Sequence, residues 1–205
     1  MQLNYIKANK QNRSILKEIA NLHMEGFDSY FLTSLGYSFI YNYYESFFDD
    51  PKSIFFVAQN ENEVVSFIVL SQNPQSVIRA LLFSNLGKIL NIVFKKIITF
   101  DRKFLIDVAK KFTSFLHSNI KRSNTQNRGS NHYRLLSIAT RNFMHGSGVT
   151  SELMNYMLNN ISSSEIQSIG LSVFANNERA IGFYNKYHFT YEKQQSGMRY
   201  YVLHL

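Results

Sequence analysis

Thr140 to Met154 reads TRNFMHGSGVTSELM and Leu171 to Phe189 reads LSVFANNERAIGFYNKYHF; the fold is decided by these two stretches taken together. Ahead of the first lies an apolar run, Tyr133 to Ala139 (YRLLSIA), with the length and composition of a buried strand. A glycine-containing turn follows, and an apolar-periodic stretch begins near Val149. The order is therefore strand, loop, helix. Gly146 and Gly148 allow a tight turn and a close approach of backbone to ligand, and the first N–H groups of the next helix have no intrahelical acceptor. A helix start of this kind binds phosphate. A lone pair of glycines before a helix equally makes a simple turn, so the second stretch carries the decision.

Both stretches resemble the GCN5-related N-acetyltransferases, the GNAT superfamily. The family's loop has the form Q/R-x-x-G-x-G/A followed by an apolar pair. Aligned on Leu153 and Met154, it falls on His145, Gly146, Ser147, Gly148, Val149 and Thr150. His145 stands where Arg or Gln is usual, and Thr150 where Gly or Ala is usual. The family's later motif, N-x-x-A-x-x-F/L-Y-x-K-x-G-F, falls on Asn177 to Phe189 and departs at His188, where Gly is expected. That glycine sits at a helix end in a left-handed backbone, so local distortion is expected at His188 without loss of the fold. The resemblance covers residues from about Asn131 to the C-terminus, including a closing strand over Met198 to Leu203.

The first half supports this through element order. A strand over Leu3 to Ala8 precedes a helix marked by Ile15, Ile19, Leu22 and His23. Leu32, Leu35, Phe39, Ile40, Tyr43 and Phe47 predict a second helix, ended by Asp49-Asp50-Pro51. Ser53 to Ala58 and Val64 to Leu70 read as a hairpin. The expected architecture is one α/β (α+β) domain over residues 1–205, a mixed, mostly antiparallel sheet flanked by helices. A helical insertion at about 74–130 separates the hairpin from the cofactor strand, with Ile78 to Ile97 on one apolar helical face and Phe104 to Ile120 on another.

Charge is concentrated in that insertion. Between Gln75 and Arg128 eleven basic residues face two acidic ones, a local +9 that exceeds the +8 of the whole chain. Such a surface attracts anionic partners and repels cationic acceptors. No nucleic-acid-reading motif accompanies it; the apolar faces are expected to pack on the core or on a second subunit of a homodimer in preference to docking on a membrane, while the charged faces of 75–128 stay in water and meet an anionic partner, the acceptor or a peripheral anionic surface. The chain has no cysteine, which excludes disulfides and a cysteinyl intermediate. A polar N-terminus without an apolar signal core, and no apolar stretch of membrane-spanning length, make the expected location cytoplasmic.

The resemblance implies acetyl-CoA as co-substrate and direct attack of a small-molecule primary amine on the thioester, with an amino sugar or sugar nucleotide as the suggested acceptor. It implies cofactor contacts from Ile138, Ala139, Thr140, the loop 145–150, Asn176 and Asn177, though either asparagine also suits a helix N-cap. Tyr184 carries over as the acid that protonates the thiolate. The family has no fixed base. Glu25 and Asp28, placed between the first two helices, are the candidates, with His23, His132 and a water chain as alternatives. No metal-ligand spacing is present. A non-catalytic acyl-CoA sensor or scaffold of the same fold is the alternative reading.

Overall fold

A computed structural model describes residues 2–27, 31–61, 63–84, 131–162 and 164–205. The second insertion helix, most of the first, the segment's basic residues other than Arg79, and Asp28 lie outside the described residues. In chain order the elements are β1 (Asn4–Ala8), α1 (Ile15–Gly26), α2 (Phe31–Ser34), α3 (Tyr37–Asp49), β2 (Ser53–Asn60), β3 (Glu63–Ser71) and α4 (Pro74–Ser84). Then come β4 (His132–Thr140), α5 (Val149–Asn159), β5 (Ser168–Phe174), α6 (Glu178–Lys186), β6 (Thr190–Gln195) and β7 (Met198–His204).

These strands form one seven-stranded sheet in the order β1-β2-β3-β4-β5-β7-β6. Every pairing is antiparallel except β4 with β5. The central strands β2 and β3 are covered on both faces, which is why SIFFVA and VVSFIVL read as continuous apolar runs and not as alternation. Phe67 and Val69 face a cluster built with Leu16, Ile19, Ile40 and Phe47 from α1 and α3. Ile68 and Leu70 face the opposite cluster, with Leu153, Met154 and Met157 of α5 and Ile181 and Tyr184 of α6. Each fully buried apolar side chain here contributes roughly 1.5–3 kcal/mol by leaving water.

The expected second helix is two helices. Its apolar periodicity runs unbroken through Leu32, Leu35 and Phe39, but Gly36 takes φ +90° and its carbonyl accepts from Phe39 and Ile40, starting α3 afresh. The edge strand β6 had no counterpart in the sequence reading, because TYEKQQ is mostly exposed and lacks a core face. Its signal is the turn: Ser196 and Gly197 both have positive φ, as a two-residue hairpin turn demands. Of the insertion, α4 packs Val77, Ile78 and Leu81 into the α1/α3 cluster. No helix among the described residues is long and apolar enough to cross a membrane.

Candidate active site

The site begins where the sheet comes apart. β4 and β5 pair through three rungs only, His132 with Ser168, Tyr133 with Ile169 and Arg134 with Gly170. Beyond Arg134, β4 remains paired with β3 while β5 is paired with β7. The two strands diverge, leaving the facing backbone edges of Leu135 to Thr140 and Leu171 to Phe174 without a ladder among the described residues. Ile138, Ala139 and Thr140 lie on the open side of this cleft. Parallel strands cannot diverge in this way in a continuous sheet without giving up hydrogen bonds, so the gap is a place for a ligand with amide groups of its own.

At the mouth of the cleft the chain leaves β4 through a 3-10 turn, Asn142–Met144, and enters α5 through His145 to Gly148. Gly146 and Gly148 have φ +82° and +89°. Space is not what requires Gly148, since an added Cβ would meet only Glu152 Oε1, at 3.9 Å; the left-handed backbone requires it. The N–H groups of Gly146, Gly148, Thr150 and Ser151 have no hydrogen-bond acceptor among the described residues, while Val149 N–H meets Ser147 Oγ at 3.4 Å. These donors and the positive end of α5 form an anion cradle, and they fit a pyrophosphate.

Two departures from the family loop make contacts of their own. Thr150 Oγ1 lies 2.7 Å from Thr140 Oγ1, which lies 2.7 Å from Ser66 Oγ, so three hydroxyls tie the first turn of α5 to β4 and β3. The His145 ring folds back, with Nε2 3.1 Å from the Thr140 carbonyl oxygen. Each side chain thus braces the cradle against the strand end.

The third departure, His188, adopts φ +60°, the left-handed conformation the family's glycine would take. It ends α6 in a Schellman arrangement. Phe189 N–H donates to the Tyr184 carbonyl and His188 N–H to that of Asn185, while the rings of Phe189 and Tyr184 meet edge to face at 5.6 Å. At the other end Asn177 is the N-cap, its Oδ1 accepting from Ala180 N–H at 3.1 Å. Asn176 is exposed in the turn before it. Tyr184 is therefore held on a helix fixed at both ends and buried in the cluster it shares with α5, to which Tyr187 is joined by a 2.8 Å bond from its hydroxyl to the Ser151 carbonyl.

The candidate bases are scattered. Glu25 belongs to the last turn of α1, not to a loop, and its carboxylate is engaged by Arg141. Arg141, buried directly after β4, also reaches Glu18 at 2.8 Å, Glu63 at 3.3 Å and the Val64 carbonyl at 3.3 Å. His23 is a buried residue of α1 facing Tyr44 of α3, and burial lowers its pKa to about 4. His132 stands at the closed end of the cleft, its Nδ1 2.6 Å from Ser168 Oγ and its Nε2 3.1 Å from where a Cβ on Gly170 would sit. Ser66, Arg141 and Ser137 were not singled out from sequence as binding or catalytic side chains. Only the polar interruption of an apolar strand, at Ser66 and Ser137, offered a signal.

A family model described as the acetyltransferase (GNAT) family matches residues 104–189, from within the segment between α4 and β4 to the end of the Schellman turn. No curated protein matches the chain significantly. Among solved structures, a Pyrococcus horikoshii OT3 protein is similar at a TM-score of 0.61 and 15% identity, over 100% of this chain and 99% of that one. The PaiA N-acetyltransferase of Thermoplasma acidophilum, solved with coenzyme A, is similar at 0.61 and 11%, over 100% of each chain. An acetyltransferase from Thermus thermophilus is similar at 0.59 and 10%, over 100% of this chain and 98% of that one. At these identities the likeness is one of fold, and it is the fold expected from the loop at 145–150 and the later motif at 177–189, both of which lie within the residues that the GNAT acetyltransferase family model matches.

Proposed function

We propose that the chain is an acetyl-CoA-dependent N-acetyltransferase that joins its co-substrate and a primary amine in one ternary complex. The observation that carries this reading is the alignment of an anion cradle, Gly146 to Ser151, with a cleft whose strand edge Leu135 to Thr140 has lost its partner. The cradle takes the pyrophosphate, and the strand edge offers the pantetheine amides the hydrogen bonds that β5 no longer makes. Held there, the thioester is presented to the amine, which removes much of the entropic part of the barrier. Tyr184 protonates the departing thiolate.

The contacts made by Thr150, His145 and His188 favour an enzyme over a sensor, since none of the three departures disturbs the cradle or the helix bearing Tyr184. For the acceptor, the basic segment 75–128 favours an anionic amine such as an amino-sugar nucleotide over a polyamine.

Titration calorimetry with coenzyme A, followed by mass spectrometry of amine panels incubated with acetyl-CoA, tests the reading. Gly148→Val should lose coenzyme A affinity severely and His145→Ala should lose less. Equal affinity in wild type and Gly148→Val removes the cradle assignment, and binding without any acetylated product favours a sensor.

A further inference from the structure

The face of the sheet under α1 and α3 carries a run of polar side chains through an apolar core. His23 Nδ1 on α1 lies 2.7 Å from the Tyr44 hydroxyl on α3, which lies 3.2 Å from Ser137 Oγ on β4. Their exposures are 4%, 0% and 9%. Groups so buried cost free energy unless hydrogen-bonded, yet one end of the run is open: His23 Nε2 has no partner among the described residues.

That open end sets the direction of the run. An orphaned buried N–H is rarer in folded proteins than an orphaned acceptor, so the imidazole proton belongs on Nδ1, where it is donated to the Tyr44 oxygen. Tyr44 then donates to Ser137 Oγ. Because a hydroxyl has one proton, that of Ser137 is left to be donated outward. His23 does not serve as a proton sink, since burial lowers its pKa and keeps it neutral near pH 7. The run orients a donor; it does not carry a proton away.

A bulge decides where that donor stands. Leu70 pairs with Leu135 and Val69 with Ser137, so Leu136 is the extra residue in β4. Two consecutive side chains then share a face: Leu136 packs in the α1/α3 cluster and Ser137 meets Tyr44. Ser137 is also beyond the last β4/β5 rung, between the apex of the cleft at Arg134 and the cradle.

We propose that Ser137 donates a hydrogen bond to the carbonyl oxygen of the bound acetyl thioester, with Tyr44 and His23 as positioning residues that aim it; this rests on the acetyl-CoA reading. As the amine lone pair forms the C–N bond, the carbonyl π pair moves onto oxygen. It returns when the C–S bond breaks and the sulfur leaves with its electrons, taking a proton from Tyr184, while the surplus proton on the new amide nitrogen passes through water to restore the phenol. A donor fixed beforehand stabilises the oxygen's transient charge without reorganising.

Isotope-edited infrared spectroscopy of acetyl-CoA labelled with ¹³C at the acetyl carbonyl tests this without knowledge of the acceptor, with coenzyme A calorimetry alongside. Ser137→Ala should shift the bound carbonyl band to higher frequency than in wild type, Ser137→Thr should keep the wild-type band, and Tyr44→Phe and His23→Gln should move it part of the way. A purely structural role would lower the melting temperature and leave the band in place. An unmoved band in folded Ser137→Ala overturns the proposal, as does an unmoved band in Tyr44→Phe if the alanine variant does not fold. Absence of coenzyme A binding by wild type overturns the cofactor reading itself, an outcome separable from binding with an unshifted carbonyl.

Discussion

At the scale of single residues, the acid role proposed for Tyr184 and the burial of His23 each lead to a test. Tyr184→Phe keeps the ring in its edge-to-face contacts with Phe183 and Phe189 and removes only the hydroxyl. Turnover of an identified amine should fall by about 10²–10⁴-fold, the usual worth of a positioned acid, while calorimetry gives an unchanged coenzyme A affinity. Unchanged turnover with chemistry rate-limiting takes the acid role away from Tyr184. His23 has a folded pKa lowered to about 4 by burial against an unfolded value of about 6.5. Between these values the unfolded chain binds a proton that the folded chain refuses, so the contribution is complete above about pH 6.5 and is lost as pH falls toward 4. Urea denaturation should show about 3 kcal/mol of stability lost across this window, and His23→Gln should flatten that slope.

At the scale of elements, the ends of helices and strands are what hold the site. Arg141 joins the end of β4 to α1 through Glu18 and Glu25 and to the start of β3 through Glu63. Its own side chain is 10% exposed and the carboxylates are 32–50% exposed, so solvent screens part of the attraction. Arg141→Gln leaves three acids facing one another and should cost about 2–3 kcal/mol in urea denaturation, less at high salt. At the end of α6 the expectation has the opposite sign. An exposed histidine at φ +60° pays for a left-handed backbone, so His188→Gly should stabilise by about 1 kcal/mol, read as a raised melting temperature. A lowered melting temperature would mean that the His188 ring makes a contact outweighing that strain.

At the scale of the molecule, the split between β4 and β5 divides the sheet into two halves that meet through three rungs. A ligand lying in the cleft bonds to the edge that pairing leaves open. Hydrogen exchange with and without coenzyme A should therefore slow at Leu135 to Thr140 and at Gly146 to Ser151. The β2/β3 amides, already protected on both faces, should be unchanged. Uniform slowing over the whole sheet would point to global stabilisation by ligand at some other place.

Much of this was legible in the chain because it depends on local order. The apolar runs of β2, β3 and β4, the glycines of the cradle and the caps of α6 are fixed by neighbouring residues, and neighbouring residues are what a sequence displays. Even the His188 conformation follows from its place after a helix end. By contrast, the roles of Glu25, His23 and Ser137 depend on partners far along the chain: Arg141 is 116 residues from Glu25, and Ser137 is 93 residues from Tyr44. A carboxylate that reads as a free base by composition becomes half of an ion pair once α1 is laid beside the end of β4. A serine that reads as one polar residue in an apolar strand becomes the end of a buried run once a single-residue bulge turns it toward α3. Sequence alone determined most of the elements, their order and the resemblance to the GNAT acetyltransferases, because periodicity and motif spacing are local quantities. Tertiary structure alone decided which polar side chains meet and which are buried, because burial and hydrogen bonding are set by contacts between segments that the sequence keeps apart.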